Sequence, residues 1–209
     1  MTNLSYRTIA GPVEGVFKEK GSKFLAFAFA VSSEDQIREH IVRLRKEYFD
    51  ARHHCYAWML GANKAKFRAN DDGEPNHSAG DPILGQIRSR DLTNILVVVV
   101  RYFGGVKLGI GGLISAYKAA AEDALSKAIV DEREVEVEMI LQYSYEATPE
   151  AMRLIKDFDL RIINQDFSAA CSVTVAVTLR VREAVEEKVN LYQALGVVIK
   201  IEVRQTPAQ

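Results

Sequence analysis

The sequence predicts an α+β fold in two domains, an N-terminal domain over residues 1–131 and a C-terminal domain over residues 139–209. Three observations lead to this prediction. The composition is that of an ordinary globular chain, with 48% hydrophobic and 26% charged residues among 209. The spacing of apolar residues changes repeatedly between the period of a strand and that of a helix. Residues 131–138 have the highest density of acidic residues and separate two such regions.

The first half begins with a strand and a helix. Residues 23–31 (KFLAFAFAV) are an almost continuous run of β-type residues, which predicts a strand. Ser33, followed three positions later by Gln36, forms a capping box, and apolar residues recur at helical spacing beyond it. We therefore expect a helix that runs to about Tyr48 and then a strand over His53–Leu60, which a glycine ends.

A loop, a helix, a buried strand and a longer helix follow. Residues 63–81 are polar and rich in turn residues, and a proline opens a predicted helix over residues 82–90. Residues 94–103 contain ILVVVV without polar alternation, which predicts a strand buried on both faces. After a glycine cluster, a long helix is predicted from an apolar stripe formed by Leu113, Tyr117, Ala120, Ala124 and Ala128.

The C-terminal half alternates strands and helices regularly. Strands are predicted where apolar residues alternate with polar ones or follow turn signals, near residues 141–145, 160–167, 171–179 and 197–203. Thr148 and Pro149 predict the start of one helix, and Gly196 predicts the end of the other. The order βαββαβ is that of a ferredoxin-like domain, with helices on one face of an antiparallel sheet.

Charge and hydropathy exclude several classes of protein. Residues 1–131 carry 18 Lys and Arg against 15 Asp and Glu, whereas residues 132–209 carry 9 against 13. A phosphate-rich partner should prefer the first half, although this small excess is far from that of a dedicated nucleic-acid-binding protein. The sequence shows no secretory signal, no membrane-spanning apolar stretch and only two cysteines, so we expect a cytoplasmic protein without disulfides.

The first segment that suits binding or chemistry is ARHHCYAW, residues 51–58. It contains Arg52 and the neighbouring histidines His53 and His54. Neighbouring strand residues point to opposite faces, so at most one of the two histidines joins a site. We take Arg52 and His54 as candidate binding residues, while the sequence leaves open which histidine faces the site.

The second segment is the loop NDDGEPNHSAGDP, residues 70–82, which collects Asp71, Asp72, Glu74 and a histidine. Carboxylates beside a histidine can bind a divalent cation or perform general acid–base catalysis. The alternative is a turn at the Asp-Gly pair with solvated carboxylates, and the spacing matches no EF-hand loop. Asp71, Asp72 and Glu74 are therefore candidate binding residues, and we assign no catalytic residue, metal or cofactor.

The third segment runs from the buried strand through five glycines into the next helix (VVVVRYFGGVKLGIGG). Exposed backbone N–H groups at glycines and the positive end of a helix dipole together favour an anion. The spacing fits neither a Walker A loop nor a dinucleotide fingerprint, and the glycines alternatively permit only a tight crossing. The candidate binding residues here are Arg101, Tyr102, Gly104, Gly105, Lys107 and Gly109.

Together these segments resemble the YigZ/Impact family. The resemblance rests on ARHHCYAW, on DDGEP, and on a spaced pattern over residues 80–109 that includes RYFGG. It covers nearly the whole chain in the family's bacterial two-domain form. It implies an N-terminal domain folded like the second domain of ribosomal protein S5, followed by a ferredoxin-like C-terminal domain. One stretch departs from the pattern, because relatives often have Gly-Thr-Ala-Gly where this chain has His77-Ser78-Ala79-Gly80.

The resemblance also implies a role. Eukaryotic Impact proteins regulate translation initiation under stress through protein partners, but with an additional N-terminal domain that this sequence does not show. Our leading hypothesis is therefore a non-enzymatic, translation-linked regulator that contacts RNA, the ribosome or a translation factor. The contact would use Arg52, Arg101 and Lys107, with the glycine-rich turn against phosphate.

Two other hypotheses remain open at this point. One is a cation-dependent hydrolase or phosphotransferase that uses the loop over residues 71–74 and one histidine. The other is a protein-interaction module with an aromatic patch of Tyr102, Phe103 and Tyr117, although aromatic residues at such spacing more often belong to a core. The sequence does not predict an oligomeric state.

Overall fold

The computed structural model describes residues 4–167 and 171–204. Within these ranges the chain forms two compact units. The N-terminal unit spans residues 6–133, and the C-terminal unit comprises residues 134–204 together with residues 4 and 5. None of the helices in the described ranges combines the length and apolar character that a membrane span requires.

The N-terminal unit contains a mixture of strands and helices. Its strands are β1 (Ser5–Ile9), β2 (Val13–Glu19), β3 (Ser22–Ala30), β4 (His53–Leu60), β5 (Lys66–Asn70), β6 (Ile95–Tyr102) and β7 (Val130–Glu134). Its helices are α1 (Glu34–Glu47), α2 (Gly80–Ser89) and α3 (Gly109–Ser126). β1 pairs with β7, and the other strands form an antiparallel sheet in the order β2-β3-β6-β4-β5.

β6 is the central strand of this sheet, and all of its residues except Tyr102 are buried. Val97 and Val99 belong to the core that includes α2 and α3, whereas Val98 and Val100 pack on the other side with residues of α1. Helices thus cover both faces of the strand. The predicted strand without polar alternation is confirmed, because neither face of β6 meets water.

The predicted cap of α1 is confirmed with one difference in detail. The Ser33 hydroxyl accepts a hydrogen bond from the Gln36 backbone N–H at 3.3 Å. The Gln36 side chain accepts from the backbone N–H of Ser32 at 2.8 Å, one residue earlier than in a standard capping box. Both bonds satisfy donors near the helix start, so the helix begins where the sequence predicts.

Two helices begin earlier than predicted. α3 begins at Gly109, so three glycines belong to its first turn rather than to a loop before it. α2 begins at Gly80, two residues before Pro82, because a carboxylate from the preceding loop caps it from outside the helix (described below). A cap that is distant in sequence cannot be recognised from local sequence signals.

The C-terminal unit has the ferredoxin-like arrangement that the sequence predicts. Its elements are β8 (Glu136–Tyr143), α4 (Thr148–Asp157), β9 (Arg161–Asp166), β10 (Cys171–Thr178), α5 (Arg182–Ala194) and β11 (Ile199–Arg204). The sheet has the order β11-β8-β10-β9 with antiparallel neighbours. Its core joins the inward face of the sheet to both helices, because apolar residues alternate along the strands.

The ends of these helices agree in part with the prediction. Gly196 follows α5 with φ at +84°, the left-handed conformation expected of a glycine that ends a helix. Thr148, by contrast, is not the cap of α4. The N-cap is Ala147, and the Thr148 hydroxyl donates to the Tyr145 carbonyl oxygen at 2.7 Å, which closes the preceding turn.

Candidate functional site

Glu74 lies at the centre of a buried polar cluster in the N-terminal unit. Its Oε1 atom accepts hydrogen bonds from Arg101 Nη1 at 2.6 Å and from the Tyr117 hydroxyl at 2.8 Å. Glu74 comes from the loop before α2, Arg101 from β6 and Tyr117 from α3. The Glu74 and Arg101 side chains are only 5% and 6% exposed. One carboxylate therefore joins three segments, and its charge is tolerated in the interior because it is paired.

Asp71 caps helix α2 from the loop. Its Oδ1 accepts from the backbone N–H groups of Ala79 (2.9 Å) and Gly80 (2.8 Å), and its Oδ2 accepts from that of His77 (2.9 Å). Burial acts to raise the pKa of the Asp71 carboxyl, but these donors outweigh it and hold the pKa below its ordinary value. Gly80 leaves room for the loop, since a Cβ there would lie 2.5 Å from the Asn70 backbone nitrogen.

Asp72 ties the loop to β4 and α1. Its Oδ1 accepts from Arg45 Nη2 at 2.7 Å, and its Oδ2 accepts from the backbone N–H of His54, also at 2.7 Å. Its φ of +43° and that of Gly73 (+86°) make the turn predicted at this Asp-Gly pair. The carboxylate is therefore committed to the protein rather than to solvent.

His53 faces the cluster, and His54 does not. His53 Nδ1 donates to the Asp72 carbonyl oxygen at 2.8 Å, and its Nε2 lies 3.9 Å from Glu74 Oε1. His54 shares the opposite face of β4 with Trp58, on the side of α1. Burial lowers the pKa of His54, and its Nε2 has no hydrogen-bond partner among the described residues. Only the backbone of the predicted binding residue His54 reaches the loop.

Cys55 and Tyr117 complete the cluster. The Cys55 sulfur lies 3.0 Å from the Asp71 carbonyl oxygen and 3.3 Å from the Tyr117 hydroxyl oxygen. Burial raises the pKa of the Cys55 thiol and that of the Tyr117 hydroxyl well above their ordinary values. A thiol that stays protonated is a poor nucleophile. The arrangement therefore suits a structural hydrogen-bond network rather than covalent catalysis.

The loop places His77 in a backbone conformation that is typical of glycine. His77 adopts φ of +64°, in the left-handed region that favours glycine. Its Nδ1 lies 2.6 Å from Asp81 Oδ2. The buried Ser78 hydroxyl donates to the Pro75 carbonyl oxygen at 2.6 Å.

The acidic residues of the loop leave little capacity for a cation. Asp71, Asp72 and Glu74 each accept at least two hydrogen bonds from the protein. In residues 4–167 and 171–204, no group of three or more His, Cys, Asp or Glu side chains is arranged to hold a metal ion. The carboxylates that the sequence brings together are therefore used to position the loop.

Arg101 lies inside the unit rather than on the surface. Its guanidinium carbon lies 5.4 Å from the centre of the Phe24 ring and 5.6 Å from that of Phe103. Its Nε atom has no hydrogen-bond partner among the described residues. Since Nη1 is bonded to Glu74, Arg101 does not provide the exposed countercharge that the sequence analysis expected of it.

The predicted aromatic patch does not form as one surface. Tyr117 is fully buried on the side of α2 and α3. Tyr102 packs on the other side of the sheet, where its hydroxyl donates to Asp50 Oδ1 at 2.8 Å. This hydrogen bond raises the pKa of Tyr102. Of the three aromatic residues, Phe103 alone is exposed, to 42%.

The glycines after β6 have different roles. A Cβ at Gly104 would lie 1.9 Å from the carbonyl carbon of Gly21, and the Gly104 N–H donates to the Ser22 hydroxyl at 3.1 Å. Gly104 is therefore required by the close approach of the β2–β3 turn. Gly105 and Gly109 have φ of +88° and +70°, and a Cβ at either position would meet nothing within 4 Å. These two glycines shape an exposed turn.

Exposed basic residues lie beside this turn. The Arg52 guanidinium lies 5.8 Å from the centre of the Phe103 ring, and Lys107 is exposed within the turn. α3 has Leu108 as its N-cap, with neither a side-chain cap nor an acidic residue in its first turn. Residues 92–121 contain no Asp or Glu. We call the surface formed by Arg52, Phe103, Gly105, Lys107 and Gly109 the glycine-turn face.

Arg45, Cys55 and Tyr117 belong to the buried network but were not among the predicted binding residues, and the choice between His53 and His54 was left open. His53 and Cys55 share one face of β4, and Tyr117 lies on the inward stripe of α3, so strand and helix periods contain part of this signal. Arg45 gives no local signal, because its bond to Asp72 joins residues 27 positions apart. Long-range pairing of this kind becomes visible only in the folded chain.

Comparison with known proteins agrees with this architecture. Residues 20–125 match the family model described as the Impact N-terminal domain. The Impact family member YigZ of Escherichia coli K12 is 35% identical over 170 residues, which cover 80% of this chain and 83% of that protein. A crystal structure described as that of a hypothetical protein superposes with a TM-score of 0.77 at 29% identity and covers both chains completely.

The resemblance extends to a eukaryotic protein over part of the chain. The Impact homolog of Saccharomyces cerevisiae is 35% identical over 96 residues, which cover 44% of this chain and 36% of that protein. The matched domain and the similarity to YigZ along most of both chains identify the family directly. This chain belongs to the Impact family.

Proposed function

We propose that this chain is a non-enzymatic, cytoplasmic regulator linked to translation, which contacts RNA, the ribosome or a translation factor through the glycine-turn face. Family membership supports the link to translation, because the resemblance to the eukaryotic Impact proteins implies a role in translation. One observation supports the choice of surface. The start of α3 combines exposed basic residues with backbone N–H groups that lack an acidic or side-chain cap.

The other helices of the N-terminal unit differ from α3 in this respect. α1 has Ser33 as its cap and two acidic residues in its first turn, and α2 receives the Asp71 carboxylate. Their positive ends are therefore already compensated within the unit. At α3 the partial positive charge stays available, and Lys107 adds a full charge beside it. Phosphates or carboxylates of a partner would be attracted to this position.

The buried cluster has a supporting role in this proposal. Glu74 fixes the end of β6 through Arg101 and fixes α3 through Tyr117. The glycine-turn face lies on the connection between these two elements, so the cluster holds both ends of it. A turn held at both ends loses less conformational entropy when a partner binds. No contact of the cluster favours the hydrolase or phosphotransferase hypothesis.

Co-sedimentation with purified ribosomes and with ribosomal RNA tests the proposal. The wild type would be compared with Arg52→Gln/Lys107→Gln at a low and a moderate salt concentration. Lys66→Gln is the control for loss of a positive charge elsewhere, because Lys66 is exposed in β5 and pairs with Leu60, at the end of β4 opposite to the one that pairs with Arg101. We expect the wild type and the control to pellet at low salt, with weaker binding at moderate salt. The double variant should bind at least about tenfold more weakly, since basic contacts supply part of the affinity.

Two results would contradict the proposal. Wild-type protein, stripped of nucleic acid, that pellets with neither ribosomes nor RNA at low salt would remove the link to translation. Equal loss of binding in Lys66→Gln and in the double variant would show that overall charge, rather than the glycine-turn face, determines binding.

A further inference from the structure

Apolar side chains are exposed at the N-terminal end of α3 and in the turn before it. Ile110 and Ile114 are 59% and 39% exposed, and Val106, in the turn before the helix, is 51% exposed. Ile110 and Ile114 are four residues apart, so they share one side of the helix. Leu113 and Tyr117 lie next to them on the same side of the helix and fill the core, so Ile110 and Ile114 continue the core-facing stripe to the N-terminal end of α3, where it is no longer covered. We call Val106, Ile110 and Ile114 the α3 stripe, whose side chains stay exposed although they border the core.

Gly111 gives a second sign that something approaches this side of the helix. It lies within α3, where glycine costs roughly 0.5–1 kcal/mol relative to alanine. Its φ is not positive, and a Cβ there would meet nothing within 4 Å. No contact inside the unit therefore requires glycine at this position. A missing side chain on an exposed helix surface lets the backbone of a partner come close.

The surroundings of the α3 stripe are basic. Lys107 lies between Val106 and the helix, and Lys118 is exposed one turn beyond Ile114. Lys20 and Lys23 are exposed at the β2–β3 turn, which touches Gly104 just before the stripe. Glu19 precedes Lys20 and Glu122 follows Lys118 by one turn, so two carboxylates lie among these four lysines and the surroundings keep an excess of positive charge. A partner with complementary charge would be acidic.

We propose that the α3 stripe binds a protein segment that folds as an amphipathic helix, with apolar residues on one side and acidic residues flanking them. The proposal rests on the proposed function and specifies the class of partner as a protein. RNA fits the stripe less well, because phosphate contacts need no aliphatic groups and bases stack on aromatic rings rather than on valine or isoleucine. A helix laid along an apolar surface is a common recognition mode, with anchors at helical spacing.

A designed peptide tests this proposal without knowledge of the natural partner. The probe is a fluorescein-labelled acidic helix of about 18 residues, or five turns, with leucines on one side and glutamates beside them. A scrambled peptide of equal composition separates shape from charge. Single-stranded oligouridylate and vesicles with anionic lipid serve as the other ligands. Binding is measured by fluorescence anisotropy for the nucleic acid and peptides and by flotation for vesicles.

The variant Ile110→Ser/Ile114→Ser removes the anchors and keeps every charge. Val42→Ser is its matched control, since Val42 is 66% exposed on α1 in the same unit. We expect the wild type and Val42→Ser to bind the helix at least about tenfold more tightly than the scrambled peptide. The double variant should lose most of that preference, because anchors dominate such contacts. Its binding to oligouridylate should stay unchanged.

Several outcomes would overturn the proposal. The first is that the wild type binds the helix and the scrambled peptide with equal affinity. The second is that Ile110→Ser/Ile114→Ser binds the helix as tightly as the wild type does. The third is that this variant loses RNA or vesicle binding to the same extent as helix binding. Ribosome pelleting separates this proposal from the proposed function. Helix binding without ribosome pelleting refutes the link to translation alone. If the wild type does not bind the helix, and if wild type and Ile110→Ser/Ile114→Ser pellet equally with ribosomes, the proposal for the α3 stripe alone is refuted.

Discussion

Removal of Arg101 should destabilise the N-terminal unit far more than removal of a surface arginine. The change is Arg101→Met, which keeps an unbranched side chain beside Phe24 and removes the charge. It leaves the Glu74 carboxylate buried and without its ion-pair partner. Breaking a buried pair in this way costs about 3–5 kcal/mol. Tyr117 still donates to the carboxylate, so we expect a value near the lower end, about 3 kcal/mol.

Urea unfolding followed by tryptophan fluorescence measures this cost. Trp58 is the single tryptophan of the chain and lies buried in β4, so its emission reports on the N-terminal unit. A loss of about 3 kcal/mol should lower the urea midpoint by roughly 1–3 M, because the unfolding free energy of small proteins falls by about 1–3 kcal/mol per molar urea. The unfolding of this unit is thereby followed separately from that of the C-terminal unit.

Two controls make the result interpretable. Arg38→Met removes an arginine whose pair with Asp35 is largely exposed to water, and it should change the unfolding free energy by less than about 0.5 kcal/mol. The double variant Glu74→Met/Arg101→Met removes both charges and should recover most of the loss. A cost below about 1 kcal/mol for Arg101→Met, or no recovery in the double variant, would refute the view that this pair is buried and essential to the fold.

Three further predictions concern glycines, the α2 cap and the thiols. Gly104→Ala should lower the urea midpoint strongly, because its Cβ would meet the backbone of the β2–β3 turn, whereas Gly111→Ala should stabilise α3 by about 0.5–1 kcal/mol. Asp71→Ala should cost about 1–2 kcal/mol at pH 7. Because the folded pKa of Asp71 lies below its unfolded value, this difference is fully present above about pH 4 and disappears as the pH falls through the folded pKa. In native protein a thiol reagent should label Cys171 and not Cys55, which is buried and whose raised pKa keeps it protonated.

Each of these predictions has a result that contradicts it. For the glycines it is equal stability of the two alanine variants in the Trp58 assay. For the α2 cap it is a difference between wild type and Asp71→Ala that persists unchanged at pH 2, measured by the same unfolding assay. For the thiols it is two labelled cysteines in folded protein, found by mass spectrometry before any urea is added.

The regular parts of the fold were predictable because local patterns determine them. The run ILVVVV predicts the buried strand β6, and alternating apolar residues predict the C-terminal strands. The start of α3 was placed too late, because glycines in a first turn look like loop residues in sequence. The start of α2 was missed because Asp71, nine residues before Gly80, supplies the cap.

The sequence predicted which residues of the candidate site lie together better than it predicted what each residue does. The loop with Asp71, Asp72 and Glu74 and the strand end with Arg101 do come together, as the sequence suggested. Whether a charged residue at a strand end is exposed depends on what covers it. Arg101 shares a face of β6 with Val99, and the distant loop bearing Glu74 helps to bury it together with the ring of Phe24. The residues next to Arg101 in the sequence do not show that a distant loop packs over its side chain.

The most direct test of the account compares a variant of the buried Arg101 with a variant of the exposed Arg52 and Lys107, by two measurements. Arg101→Met and Arg52→Gln/Lys107→Gln would each be measured for ribosome pelleting at low salt and for the urea midpoint of Trp58 fluorescence. We predict that Arg101→Met lowers the midpoint and, under conditions where it remains folded, still pellets with ribosomes. The double variant should keep the wild-type midpoint and lose pelleting. Folded Arg101→Met that fails to pellet, or a double variant that pellets like the wild type, would contradict the assignment of binding to the glycine-turn face.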